Sequence, residues 1–523
     1  MPRKPKAKNS LSAGERVALY LAEQEEKQRK IETGAVGTSD GDANSKIVGE
    51  DIERTRRDSL TEESAARKKV LPKPQHAVVR VNFDISVGEA KPMHGMCNGP
   101  VSYGADITHL FKEIGVPCVR FDCTDTAVSG YAVDISRIFR DKYADPSDEA
   151  SYDFTVTDRY VEAALMSGAR IFYRLGDSID MLGNATVRED PMELEELTQV
   201  CVNIVKHYRG AFAGGFDANI KYFELWNRNH GSSESEKKSD FEIYRRLASS
   251  IKLFDEDLLV GGMCFDGFDA DAREFVRYCK RVRAPLDFIT IEIFGSDPES
   301  AANEAEQMSA YLKNLGMEAE IFIGKWGYVD REALGEADLC RLLGSSGAAI
   351  TASRKDVFDA QAEIKGAAYS CAFMLKLLST DGVEGAFMYD AQPMVSPWCA
   401  ISDRFGFATK TFYSFKAFGE LYKAKNLVYS VSEQLEDHLH NGIFVGSALS
   451  DAGEGYVLIA SFGGCGVVDI RLEGIPENLY TADVYMLDGV KNMTLGDSVP
   501  LSGMKKRLLL SMSEYGVAAI RLY

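Results

Sequence analysis

The sequence has no run of 18 apolar residues, so no segment is expected to span a membrane. Its basic start, Met1-Pro2-Arg3-Lys4-Pro5-Lys6-Ala7-Lys8, leads into a polar helical pattern rather than an apolar stretch, and is not expected to act as a secretory signal. Positive charge is in deficit: 60 Lys and Arg stand against 79 Asp and Glu, a formal net charge of -19. That balance argues against nucleic acid or an anionic membrane as a partner, because both are held by clustered cations. None of the ten cysteines forms a Cys-x-x-Cys pair, and most lie in apolar segments, which fits reduced core thiols in a cytoplasmic protein. The seven histidines show no metal-ligand spacing, so neither a metal nor a cofactor is expected.

What is present is ample apolar material. At 523 residues, 45% hydrophobic and 27% charged, the chain has the composition of a globular protein with a large core. Residues 1–74 form a charged, helical or disordered arm. Ser12-Ala13-Gly14-Glu15 is a capping-box pattern opening a helix through Val17, Leu19, Tyr20 and Leu21, and a Gly/Ser/Asp linker follows. The arm is too poor in apolar residues for a core of its own. It is expected to be a flexible tail or to dock on a protein partner or a sister subunit. From residue 91 to 425 strand patterns alternate with amphipathic helices. The strands fall near His94–Cys97, Cys118–Phe121, Arg170–Leu175, Tyr222–Trp226, Leu259–Gly262, Phe288–Ile293, Glu320–Gly324 and Gly385–Tyr389. Eight such repeats predict an α/β fold, a (β/α)8 TIM barrel. A long insertion, Tyr328 to Asp359, reads as a lid over its mouth. Residues 426–523 change to short alternating strands split by Gly, Asp and Asn, which predict a C-terminal β-sandwich, joined by a strand from 75–90.

Several stretches together resemble a family 39 glycoside hydrolase, a retaining barrel of clan A with β-xylosidase-type activity. They include His94-Gly95-Met96-Cys97-Asn98-Gly99-Pro100, Val119-Arg120-Phe121-Asp122, Val133-Asp134-Ile135, Tyr173-Arg174-Leu175-Gly176 and Arg404-Phe405-Gly406. Two strand ends carry the resemblance to the family's catalytic positions. In Leu225-Trp226-Asn227-Arg228-Asn229 the family writes Trp-Asn-Glu-Pro, so Arg228 stands at the acid/base position. In Ile323-Gly324-Lys325-Trp326 the family's nucleophilic Glu precedes the Trp, so Lys325 stands there. The resemblance implies that Arg120, Asp122, Trp226, Asn227, Trp326 and Tyr389 face or brace a sugar. Phe121 and Ile291-Glu292 depart from it, because the family has His after the Arg and an aromatic-His pair on the sixth strand.

Retaining hydrolysis needs two carboxyl groups about 5 Å apart. Arg does not release its proton near neutrality, and an ammonium cannot form the glycosyl ester. Three readings therefore stand. The barrel has lost hydrolysis and acts as a pseudoenzyme, binding a carbohydrate or anionic small ligand or serving an assembly. Alternatively it hydrolyses a glycoside through displaced carboxylates such as Glu292 and Asp122. Or Lys325 is itself a nucleophile. Trp226, Trp326, Tyr389 and Trp398 are either sugar platforms or core aromatics, and Glu224, two residues deeper than Trp226, is expected in the barrel floor.

Overall fold

Eight parallel strands close into a barrel, each with one face toward the axis and the other toward a helix layer. In spatial order they are β2 (Gly95–Cys97), β5 (Cys118–Arg120), β6 (Arg170–Leu175), β7 (Tyr222–Asn227), β8 (Leu259–Asp266), β9 (Phe288–Gly295), β10 (Glu320–Tyr328) and β11 (Val383–Met388), with β11 returning to β2. A small ribbon of β3 (Val101–Ser102) and β4 (Ala105–Asp106) follows β2. The computed structural model describes residues 75–523 apart from 103, 123–131, 142, 178–191, 228–233, 330–354, 395, 397, 434–441, 465, 478 and 502–506. The arm, most of the expected lid and Arg228 lie outside the described residues, as do the side chains of Trp226 and Asn227.

The expected (β/α)8 architecture is thus present, and all eight expected strands have counterparts. The differences are in length. β8 and β10 run on to Asp266 and Tyr328, past the glycines at which the sequence pattern stops. Both strands carry register irregularities beside those glycines, between Gly262 and Phe265 and between Ile323 and Lys325. A glycine in a strand marks a bulge as readily as an end. After the insertion the chain forms two helices, Lys355–Ala362 and Ile364–Leu378.

The second sheet has nine strands. They are β1 (Gln75–Glu89), β12 (Asn426–Glu433), β13 (Ile443–Leu449), β14 (Gly455–Phe462), β15 (Gly466–Glu473), β16 (Thr481–Leu487), β17 (Asn492–Pro500), β18 (Arg507–Met512) and β19 (Tyr515–Leu522), hydrogen-bonded in the order β17-β16-β19-β14-β13-β12-β1-β15-β18. β18, at one end of that order, touches β19 near the other, so the sheet curls over a core that includes Val79, Val81, Ile459, Ile470, Leu508 and Ile520. β12, β17 and β18 were not legible as strands; β17 is exposed along nearly all its length and shows no apolar alternation. The outer face lies on the helices Ile364–Leu378 and Lys410–Ala424, where Leu458, Ala460, Val517 and Ala519 join the barrel's own core. This sheet is therefore packed into the barrel rather than tethered to it.

Candidate functional site

Side chains aimed at the barrel axis stack in layers, as strand alternation requires. The floor is apolar: Phe172, Phe288, Phe322 and Phe387 cluster there, with Cys97 packed on them. One step up each strand, on the same parity, the interior becomes ionic. Arg120 of β5, Arg174 of β6 and Glu224 of β7 are all fully buried. Arg120 donates to Glu224 at 2.5 Å and pairs with Asp122 at 3.2 Å. Thr290 of β9 gives its hydroxyl proton to the other Glu224 oxygen at 2.5 Å. Arg174 reaches Asp134 at 2.8 Å and Asp122 at 3.9 Å. Gly324 makes room for this layer, because a Cβ there would lie 3.1 Å from the Cys264 sulfur and 3.6 Å from Nε of Arg120.

The mouth layer holds Asp122, Glu292, Lys325 and Tyr389. The Lys325 ammonium lies 2.9 Å from Asp122 and 3.5 Å from Glu292, with its charge 5.6 Å from the centre of the Tyr389 ring. Its side chain is 18% exposed and that of Glu292 11%, whereas Asp122 is sealed. Burial pushes the Asp122 carboxyl up, but Lys325, Arg120 and Arg174 outweigh it and hold the group well below the ordinary carboxylate range. Burial likewise opposes the charge on Arg120, and Glu224 with Asp122 keeps it cationic.

The bulge in β10 decides which neighbour faces the mouth. Its pairing with β9 jumps from Ile323 opposite Ile291 to Lys325 opposite Glu292. Lys325 turns inward and Trp326 outward, so Trp326 is fully buried between Phe373, at 4.4 Å, and Phe415, at 5.9 Å, in the helix layer. Of the two readings left open for Trp326, sugar platform or core aromatic, its burial fits the second. Trp398 is also buried, 6% exposed, and packs on Phe294 and Tyr389 as part of the wall. Phe121 stacks on Tyr160 in the core. Glu224 does not lie in the floor itself but one layer above it, as the partner of Arg120.

Asn98, Asp134 and Arg174 entered the sequence reading only within family-like stretches, without a site role, and Asp390 did not enter it. All but Asp134 lie on or just after barrel strands, the signal that could have found them. Asp390, just after β11, accepts from Asn98 at 3.2 Å and from the Gln392 side-chain amide at 3.2 Å. Burial pushes its carboxyl up to about 7, against the hydrogen bonds from Ser396, Asn98 and Gln392 that favour the anion. A carboxyl raised in the folded state stabilises below its ordinary value of 3.8 and loses that contribution as pH climbs through about 7. Buried His94, driven down to about 3 by desolvation, has the opposite slope: it supports the fold above its ordinary 6.5 and withdraws that support as pH falls. Asp390→Asn is therefore expected to gain stability relative to the parent steadily from pH 4 to pH 8, by on the order of 2–4 kcal/mol at 1.36 kcal/mol per unit. His94 contributes equally to both proteins and cancels in the difference. Denaturant titrations of the pair at four pH values check this; a constant difference would mean that Asp390 ionises normally.

Among the described residues no helix is long and apolar enough to cross a membrane, and no group of His, Cys, Asp and Glu is placed to hold a metal.

Comparison with known proteins adds a partial family match. Glycosyl hydrolases family 39 matches residues 103–320, from ahead of β5 to the first residue of β10, and so stops short of Lys325. A β-xylosidase of Geobacillus stearothermophilus is 26% identical over 196 residues, 35% of this chain and 37% of that protein, so the match spans little more than a third of that relative. A glucosidase structure from Croceicoccus marinus superposes with a TM-score of 0.68 at 18% identity, over 86% of this chain and 99% of that one. A monomeric β-xylosidase from Caulobacter crescentus gives 0.61 at 14% identity, over 85% and 99%. At such identities the structural likeness is one of fold. With the partial sequence match and the eightfold barrel, it makes this chain a protein with the family 39 glycoside hydrolase fold.

Proposed function

We propose that the barrel is a glycosidase scaffold that no longer hydrolyses by the retaining route and acts by binding at its mouth. The observation that carries this reading is Lys325, whose ammonium lies between Asp122 and Glu292. Both carboxylates reach the same nitrogen, so their oxygens are no further apart than those two contacts laid end to end, a separation compatible with a retaining pair. The anomeric carbon would have to sit where the lysine already is. Asp122 is sealed and held by three cations, which leaves Glu292 as the one partly exposed acid of this trio. At the other catalytic position Arg228 supplies no transferable proton near neutrality. Lys325 as a nucleophile is disfavoured by the same contacts, because two carboxylates stabilise its ammonium form.

The second reading, hydrolysis through Asp122 and Glu292, is favoured by their spacing and opposed by the lysine between them. The purified chain is expected to release no aryl alcohol from aryl β-xylosides or aryl β-glucosides above a heat-treated control. Turnover that co-purifies with the protein and is lost in Glu292→Gln would overturn the non-hydrolytic reading and name the acid responsible.

A further inference from the structure

The mouth also has a chemistry of its own. An ammonium held by two carboxylates, against the face of a tyrosine ring, is the arrangement by which proteins recognise organic cations. Here the components are Asp122 at 2.9 Å, Glu292 at 3.5 Å and the Tyr389 ring at 5.6 Å. They come from three different strands or strand ends, β5, β9 and β11, and the guest comes from a fourth, β10. The host is therefore supplied by strands other than the one that carries the lysine. Asp122 is anchored from below by Arg120 at 3.2 Å, and Tyr389 from the side by Phe294 and Trp398. Removing the guest leaves those anchors in place.

We propose that the mouth is a primary-amine site, occupied at rest by the chain's own Lys325, and that the external ligands it selects are amine-bearing sugars or polyols that compete with that lysine. The proposal rests on the reading of this barrel end as the ligand-facing one. It also runs against an anionic ligand, since the cation that would receive one is already shared by two carboxylates.

The test uses the full chain and Lys325→Ala. Beyond Cβ, the atoms lost in that variant are those of n-propylammonium. The variant is expected to bind n-propylammonium, measured calorimetrically at constant ionic strength, at least about tenfold more tightly than 1-propanol, because only the amine makes charge-assisted contacts. The parent, with its lysine tethered in the site, should bind the amine at least about tenfold more weakly than the variant does. Adding Glu292→Gln to Lys325→Ala should remove the preference for amine over alcohol. Equal binding of amine and alcohol by Lys325→Ala overturns the proposal, because the space would then be a generic cavity; so does calorimetric binding of sulfate by the parent, which would make the mouth an anion site. If Lys325→Ala is unfolded in plain buffer, refolding with n-propylammonium but not with 1-propanol is the supporting result, and refolding with neither overturns it. Turnover of aryl β-xylosides by the parent would sink the non-hydrolytic reading and leave the amine site standing, so the two failures are distinguishable.

Discussion

Replacing Arg120 with Met is expected to destabilise the folded chain by roughly 3–5 kcal/mol at pH 7, the range for removing one partner of a buried ion pair. Arg120 is fully buried and serves two carboxylates at once, Glu224 at 2.5 Å and Asp122 at 3.2 Å. Without it Glu224 keeps only the Thr290 hydroxyl among the contacts described here, and Asp122 loses one of the three cations that hold its carboxyl down. An uncompensated buried carboxylate takes up a proton more readily. The deficit should therefore shrink as pH falls toward 5, where protonation relieves the buried charge. Adding Glu224→Gln should return much of the loss, because it removes the anion rather than its partner. Denaturant unfolding of the three proteins at pH 7 and pH 5 measures this. A loss below about 1 kcal/mol for Arg120→Met would show that water reaches the layer and that the charges are not sealed.

The second large effect is expected from Lys325→Glu, which places there the residue type that the resemblance to family 39 implies. Three carboxylates would then share the mouth, with Asp122 still sealed beneath them. Loss of the central cation together with like-charge repulsion should lower stability on the order of 2–4 kcal/mol at pH 7, the buried-pair range reduced for the 18% exposure of Lys325. Most of it should return near pH 5, as one of the three acids is protonated. On the proposed reading no turnover should appear, because Arg228 supplies no transferable proton near neutrality. A Lys325→Glu chain as stable as the parent at pH 7 would mean that the lysine and its two acids are solvated and contribute nothing.

The barrel was legible because its signal is distributed: eight apolar strands and the helices between them each carry a periodicity, and no single error removes the pattern. The site was legible only as a set of positions. Strand ends named Asp122, Arg228, Glu292, Lys325 and Tyr389; Arg228 lies outside the described residues, and the other four meet at the mouth. Which of two adjacent residues faces inward was not legible, because alternation fails where a strand bulges. Lys325 and Trp326 could not both face the axis, and Gly324 was the available sign that the parity of β10 changes there. The pairing beside the ionic layer was not legible for another reason. Arg174 and Asp134 lie 40 residues apart in sequence, and their pairing exists only once the barrel closes.

The position of β1 bears on how the chain is made. This strand precedes the barrel, yet it lies between β12 and β15, and 353 residues separate Arg80 from its partner Glu433. On a ribosome adding about 5–20 residues per second, β1 is synthesised roughly 20–70 s before β12 is available to pair with it. Throughout that interval Val79, Val81 and Phe83, all buried in the finished sheet, belong to a strand with both edges open. The nascent chain thus carries a β-pairing template from early in its synthesis, and a product truncated before β12 would keep it permanently. Such truncated chains should be caught by holdase chaperones or aggregate through this segment, whereas the completed chain hides it in the middle of a sheet.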